Sequence, residues 1–159
     1  MERLWTPWRM EYIKNAGRMD GCIFCDLPAE GRDESTLILA RGEQSFVIMN
    51  KFPYNSGHLM VAPFRHAGDF RGLLPEELAE MTAFSQQCME ALEETLHPHG
   101  YNLGVNQGHS AGAGVADHIH LHVVPRWGGD TNFMTTVGEV KVLPEALEQT
   151  YARLKPHFA

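Results

Sequence analysis

A chain of 159 residues that is 43% hydrophobic and 21% charged is long enough to form one domain with a sizeable core, and too apolar to be disordered. Its net charge of -7 argues against a general nucleic-acid binder, because such proteins need a basic surface that displaces counterions from phosphates. No apolar run has the length of a signal-peptide core or a membrane span, so we expect a cytoplasmic protein with no membrane partner.

The start of the chain contains an aromatic arm followed by a pair of cysteines. Residues 1–20 are rich in aromatic side chains, and we expect this arm to pack on the domain or on a second subunit. Cys22 and Cys25 form a CxxC sequence, which in a reducing compartment indicates either a metal site or a redox-active pair. The polar residues 28–35 predict a loop.

Apolar runs and turn residues predict the remaining elements. Strands are expected at 36–40, 45–50, 58–63, 101–106 and 117–125, with a weaker one at 137–143. Pro75 opens a long helix in which apolar residues recur every three or four positions, and its Cys88 is expected to be buried. A last helix and tail are predicted at 144–159. Together these elements favour an α+β domain with an antiparallel sheet of about five strands, one long helix and a C-terminal helix.

The predicted strand at 117–125 contains three histidines at every second position. Since alternate side chains of a strand point to opposite faces, His118, His120 and His122 are expected on one face. Three titratable side chains on such an apolar strand indicate chemistry rather than packing. The residues by themselves leave a metal site and a nucleophilic site both open. A glycine-rich loop at 107–115 precedes this strand.

These motifs together resemble the histidine-triad (HIT) family. The resemblance is carried by HIHLHVV with the glycine-rich loop before it, and by the upstream sequence NKFPYNSGHLMVAP followed by Arg65 and His66. It covers roughly residues 20–127 and implies a HIT-like fold, here over a single domain of residues 1–159. The flanking sequences LWTPWRMEYI and PRWGGDTNFM are similar to the branch that contains diadenosine tetraphosphate phosphorylases. Family members usually pair through a sheet edge, which implies a homodimer or a larger homo-oligomer.

The resemblance implies nucleotidyl transfer through a covalent nucleotidyl-histidine. It makes His120 the nucleophile and places His122 at the phosphates or the leaving group. It also places Asn50 at the ribose hydroxyls and Asn106 at a phosphate near the reacting centre, although a turn or strand-capping role stays open for both. The phosphates are expected on backbone N–H groups of the loop residues Gly112, Ala113 and Gly114.

The favoured reaction is phosphorolysis of diadenosine tetraphosphate to ATP and ADP, with orthophosphate as the acceptor. The nucleotide substrate can carry a bound Mg²⁺ ion. Many HIT hydrolases carry Gly-Gln-Ser or Gly-Gln-Thr before the first histidine, whereas residues 113–115 are Ala-Gly-Val here. This departure disfavours the alternative, hydrolysis of dinucleoside polyphosphates or nucleoside phosphoramidates. The local cations available to phosphate are Lys51, Arg65 and Arg126. A non-catalytic nucleotide-binding module stabilised by zinc is the alternative of another class.

The resemblance also implies a structural zinc ion. Related bacterial HIT proteins, and the similar galactose-1-phosphate uridylyltransferases, use a CxxC, a distant histidine and the first triad histidine. The matching residues here are Cys22, Cys25, His66 and His118. Two thiolates and two imidazoles form an ordinary closed tetrahedral zinc site. The rival interpretations are a redox role for the CxxC and a catalytic metal bound directly by the triad.

Overall fold

The computed structural model describes residues 21–130 and 145–158, and its centre is a five-stranded antiparallel sheet. The strands are β1 (Ile38–Arg41), β2 (Ser45–Met49), β3 (Leu59–Pro63), β4 (Gly100–Val105) and β5 (Leu121–Arg126). The helices are α1 (Ile23–Ala29), α2 (Asp33–Thr36), α3 (Pro75–Leu96) and α4 (Leu147–Leu154). The order across the sheet is β1-β2-β3-β5-β4, which places β5 between β3 and β4. The predicted α+β class is confirmed.

The two faces of the sheet are covered by different elements. On one face the long helix α3 and the C-terminal helix α4 enclose the larger core, which contains Val47, Met81 and the fully buried Cys88. On the opposite face α1 covers a smaller cluster, in which Phe24 packs with Phe46. The alternation of side chains along each strand produces both clusters, and the candidate site lies on the α1 face.

Most predicted elements lie within two residues of the observed ones, and the differences have local causes. The polar stretch 28–35 is not one loop, because the end of α1 and the whole of α2 occupy part of it. Helices of one or two turns carry no periodic apolar stripe, so the sequence pattern cannot reveal them. The C-terminal helix begins at Leu147, after Ala146 in extended conformation. The aromatic arm, the weak strand at 137–143 and Pro144 lie outside the described residues.

The predicted strand at 117–125 begins four residues late, at Leu121. The cause is competition for backbone partners just before it. The N–H of Ile119 donates to the carbonyl of Ala67 at 2.7 Å, and the carbonyl of His118 accepts from a histidine ring. The N–H of Ile119 and the carbonyl of His118 therefore form no hydrogen bonds with a neighbouring strand of the described sheet. The first two triad histidines lie in an irregular segment as a result. In the described part of the chain, no helix is long and apolar enough to cross a membrane.

An ion pair between the buried carboxylate of Glu77 and the exposed guanidinium of Arg65 fixes the start of α3. The Glu77 side chain is 2% exposed, accepts from Arg65 at 2.7 and 2.8 Å, and accepts the backbone N–H of Leu74 at 2.8 Å. The hydrogen bonds from Arg65 hold the pKa of Glu77 below its ordinary value despite burial. Because the folded pKa is depressed, this stabilisation is complete above the unfolded pKa of about 4.3 and disappears as the pH falls through the folded value.

We therefore expect Glu77→Gln to lower the free energy of unfolding at pH 7 by about 1.5–3 kcal/mol, the range for a hydrogen bond to a charged group. Urea denaturation at pH 7 and at pH 3 measures this, and the gap between variant and parent should narrow at the lower pH. Glu76→Gln on the exposed neighbour is the matched control and should change little. An equal loss in both variants would contradict a specific role for the Glu77 ion pair.

Candidate functional site

The three triad histidines are buried, at 1%, 5% and 8% exposure for His118, His120 and His122. They do not form one uniform row, because each ring is held by different partners. His118 turns toward the cysteines, His120 lies in the centre, and His122 contacts a fourth histidine. The structure therefore divides the motif between a candidate metal cluster and a candidate reaction centre.

The ring of His120 is oriented by the backbone of the same segment. Its Nδ1–H donates to the carbonyl of His118 at 2.9 Å, which leaves Nε2 as the nitrogen with the lone pair when the ring is neutral. Burial lowers the pKa of His120, although this hydrogen bond acts in the opposite direction. A buried neutral imidazole with a defined unprotonated nitrogen is suited to nucleophilic attack.

Phe24, the residue before the second cysteine, is a contact that the sequence interpretation missed. Its ring is stacked on His120 with centroids 4.5 Å apart and planes at 30°, and it is 1% exposed. On the other side, the ring of His122 meets His120 edge-on at 4.8 Å. The ring of His120 is thus fixed between an aromatic residue of α1 and the third triad histidine. The position of Phe24 inside the CxxC sequence was the available signal.

His58, the histidine of the upstream sequence NKFPYNSGHLMVAP, is the partner of His122. The backbone N–H of Tyr54 donates to Nδ1 of His58 at 3.1 Å, so a neutral His58 carries its proton on Nε2. That Nε2 lies 2.9 Å from Nδ1 of His122 and donates to it. A neutral His122 must then carry its own proton on Nε2. This sequence of hydrogen bonds makes Nε2 of His122 a hydrogen-bond donor beside His120.

A second group of side chains has the composition and spacing of a metal site. Each of Cys22, Cys25, His66 and His118 offers one ligand atom, and the four atoms lie within 4.8 Å of one another. Nδ1 of His118 is 3.2 and 3.6 Å from the two sulfurs, and Nδ1 of His66 is 3.4 Å from Cys25 Sγ. A tetrahedral zinc site has sulfur–nitrogen edges of about 3.5 Å, so the four residues fit such an ion.

The protonation of these groups also fits a metal. Nε2–H of His118 donates to the carbonyl of Pro63 at 2.8 Å, which leaves Nδ1 unprotonated and directed at the sulfurs. Burial, with the hydrogen bond and charge of Cys22, raises the pKa of the Cys25 thiol to about 11. Without a cation, the Cys25 thiol is therefore protonated at neutral pH. A Cβ on Gly68 would lie 3.2 Å from the backbone of Asp117, so glycine allows the loop after His66 to approach the triad segment.

The predicted nucleotide-binding residues are distributed around this centre. Asn106 lines the same cavity as His122. Asn50 is engaged in its own turn, since its Oδ1 accepts the backbone N–H of Phe52 at 2.9 Å and its Nδ2 lies 3.3 Å from His58 Nδ1. The predicted phosphate-binding residues Gly112, Ala113 and Gly114 lie in the loop before His118. Ala113 is buried and Gly112 has a φ of 82°.

The three predicted cations differ in their surroundings. Arg65 donates hydrogen bonds to Glu77 and to the carbonyl of Gly72, so its role is structural. Arg126 lines the cavity beside His122, with Asp130 at 2.6 Å. Lys51 is an exposed side chain on the loop after β2.

Comparison with known proteins agrees with this architecture. The HIT domain model matches residues 32–129. The AP-4-A phosphorylase of Mycobacterium tuberculosis is 41% identical, with an alignment that covers 100% of this chain and 85% of that protein. A HIT-like protein of Mycoplasma genitalium, described as uncharacterized, is 35% identical over 82% of this chain and 89% of its own length. The crystal structure of a Zn-bound histidine triad family protein from Mycobacterium smegmatis superposes with a TM-score of 0.70 at 29% identity, covering 87% of this chain and 93% of that one. The resemblance drawn from the motifs is confirmed, and the chain belongs to the HIT domain family.

Proposed function

We propose that this protein is a nucleotidyltransferase that phosphorolyses diadenosine tetraphosphate to ATP and ADP. The observation that carries the proposal is the buried His120, whose Nδ1–H donates to a backbone carbonyl so that Nε2 keeps the lone pair needed for nucleophilic attack. The 41% identical M. tuberculosis protein, an AP-4-A phosphorylase, supports the choice of reaction. The substrate and acceptor are therefore small molecules, a dinucleoside polyphosphate and orthophosphate.

In the first half of the reaction, Nε2 of His120 attacks the α-phosphorus and forms a phosphorus–nitrogen bond. The bond from that phosphorus to the bridging oxygen breaks, and ATP leaves. The Nε2–H of His122 donates a hydrogen bond to the departing oxygen, which leaves as part of the ATP anion, and His58 holds His122 in the tautomer that makes this hydrogen bond possible. Asn106 and the loop residues at 112–114 hold the phosphates through amide and backbone N–H groups.

In the second half, an oxygen of orthophosphate attacks the same phosphorus and the bond to His120 breaks. The product is ADP, and His120 returns to its neutral form. The sequence of residues 113–115 supports orthophosphate over water, since it lacks the amide and hydroxyl side chains present at this place in many HIT hydrolases. Glycine-rich backbone is suited to holding an anion in that place.

The same proposal includes a structural zinc ion held by Cys22, Cys25, His66 and His118. The fit of the four ligand atoms supports it, as does the Zn-bound relative from M. smegmatis. When bound, the ion ties α1 to the segment that carries the triad. Since Phe24 and the carbonyl of His118 both contact His120, this tie holds the nucleophile in place. Mg²⁺ would be bound to the nucleotide substrate rather than to a site of the protein.

The remaining expectations stay predictions. A single domain over residues 1–159 and a cytoplasmic location follow from the sequence interpretation. Pairing of two chains through a sheet edge is supported by β4, an edge strand of the described sheet, in which Leu103 is 48% exposed.

Product analysis with and without orthophosphate tests the reaction. We expect the rate of diadenosine tetraphosphate cleavage to rise with orthophosphate concentration and to saturate, with ADP and ATP formed in equal amounts. Chromatographic separation of the nucleotides measures this, with sulfate at equal ionic strength as the control. A rate that does not depend on phosphate, with AMP as the second product, would identify a hydrolase and contradict the phosphorylase proposal.

A further inference from the structure

The loop of residues 54–58, just before β3, holds His58 and through it the ring of His122. The backbone N–H of Tyr54 donates to Nδ1 of His58 at 3.1 Å, and the backbone N–H of His58 donates to the carbonyl of Asn55 at 3.1 Å. Nε2 of His58 lies 2.9 Å from Nδ1 of His122. The position of this loop therefore decides which nitrogen of each ring carries the proton.

The side chain of Asn55 links this loop to the end of β5. Its Nδ2 donates to the carbonyl of Pro125 at 3.0 Å and to Oδ2 of Asp130 at 2.8 Å. Both partners belong to the flanking sequence PRWGGDTNFM, and they lie 70 and 75 positions further along the chain than Asn55. Folding thus joins two sequence motifs that are far apart in the chain.

Asp130 is a firmly held acceptor for this link. Its carboxylate accepts from Nε and Nη2 of Arg126 at 2.6 and 2.9 Å, and from the backbone N–H of Trp127 at 3.2 Å. The side chain is 9% exposed, and hydrogen bonds to an ionised carboxylate are stronger than those between neutral groups. Among the described residues, Asn55 and Arg126 line the cavity beside His122, whereas Asp130 does not. Asp130 therefore acts on the site through Asn55 rather than by direct contact.

We propose that Asp130 is a positioning residue, which fixes the loop through Asn55 and so selects the tautomer of His122. With the loop in place, the Tyr54 N–H directs the proton of His58 to Nε2, and His122 then carries its own proton on Nε2. Without the link, His58 is free to carry its proton on Nδ1. His122 then places its proton between the two rings and loses its Nε2–H donor. This inference rests on the proposed phosphorolysis, in which that donor contacts the substrate.

Two alanine variants and their combination test the link by the rate of phosphorolysis. Asp130→Ala and Asn55→Ala should each lower kcat for diadenosine tetraphosphate by at least about 10-fold, because a small displacement of a group at the reacting centre costs up to about 100-fold. Since both residues act through one hydrogen bond, the double variant should lose no more than either single variant. Losses that multiply in the double variant would show two independent roles and overturn the link.

The matched control is Asp33→Ala. It removes a carboxylate of α2 that also pairs with an arginine, Arg41 at 2.7 Å, on the edge strand β1. This variant should keep the parental kcat. A loss equal to that of Asp130→Ala would show that removal of any such ion pair slows the enzyme, and it would overturn a specific role for Asp130.

The histidine rings give a second measurement, which needs no substrate. In NMR spectra of protein with nitrogen-labelled histidine, His58 and His122 of the parent should each show the proton on Nε2. In Asp130→Ala, His122 should show a mixture of both tautomers, since the Asn50 amide still lies 3.3 Å from Nδ1 of His58. A single, unchanged His122 tautomer in Asp130→Ala would overturn the positioning role. A parent protein that does not phosphorolyse diadenosine tetraphosphate would instead overturn the proposed function.

Discussion

Replacing His120 with asparagine should reduce turnover of diadenosine tetraphosphate by at least about 10⁴-fold, because the two-step path through a covalent intermediate is lost. Asparagine keeps a polar side chain of similar length but has no basic nitrogen that attacks phosphorus. Nucleotide affinity should change little, since the backbone N–H groups and Asn106 remain in place. Initial rates give the first quantity and calorimetric titration with a nucleotide gives the second.

The control for this variant uses the same substitution at an exposed histidine. His97 ends α3 in the left-handed conformation, with φ at 48°, which asparagine adopts readily. His97→Asn should therefore retain the fold and parental turnover. A further test is to trap the intermediate with labelled substrate, which should label the parent and His97→Asn but not His120→Asn. Turnover near the parental level in His120→Asn would refute its role as the nucleophile.

Replacing both Cys22 and Cys25 with serine should abolish metal binding and destabilise the protein. Serine keeps the size of cysteine but is a poor ligand for zinc, so the ion that links α1 to the triad segment is lost. Free zinc at 1,000 times the Kd of the site adds about 4 kcal/mol to folding stability, so loss of the site should lower the melting temperature by several degrees or more. Elemental analysis should find one zinc per chain in the parent and none in the variant.

The third cysteine supplies the control for the metal site. Cys88 is fully buried in the core on the opposite face of the sheet, and burial raises its pKa far above the ordinary range. Cys88→Ala should lose some stability through the missing core contact, yet retain its zinc. Removal of the metal by a chelator should lower the melting temperature of the parent and of Cys88→Ala but not of the double serine variant. Parent protein purified without any bound metal would refute the site.

The sequence by itself determined the elements whose signals are local. The stripe of apolar residues starting at Pro75 predicts α3 to its exact first residue, and the short apolar runs locate each strand of the sheet to within two residues, apart from the start of β5. The spacing of the triad histidines and of the CxxC indicated a metal site or a nucleophilic site, because side-chain period and ligand type are properties of neighbouring residues, and the choice between the two came from the resemblance to the HIT family.

Only the tertiary structure decided how those residues are paired and oriented. The contact between Cys22 and His118 joins residues 96 positions apart, and the one between His58 and His122 joins residues 64 apart. No local pattern shows that the carbonyl of His118 accepts a hydrogen bond from the His120 ring instead of from a neighbouring strand. This hydrogen bond delays the start of β5 to Leu121. Which ring nitrogen carries a proton depends on such partners, and partners brought together by folding are not encoded in the spacing of any single segment.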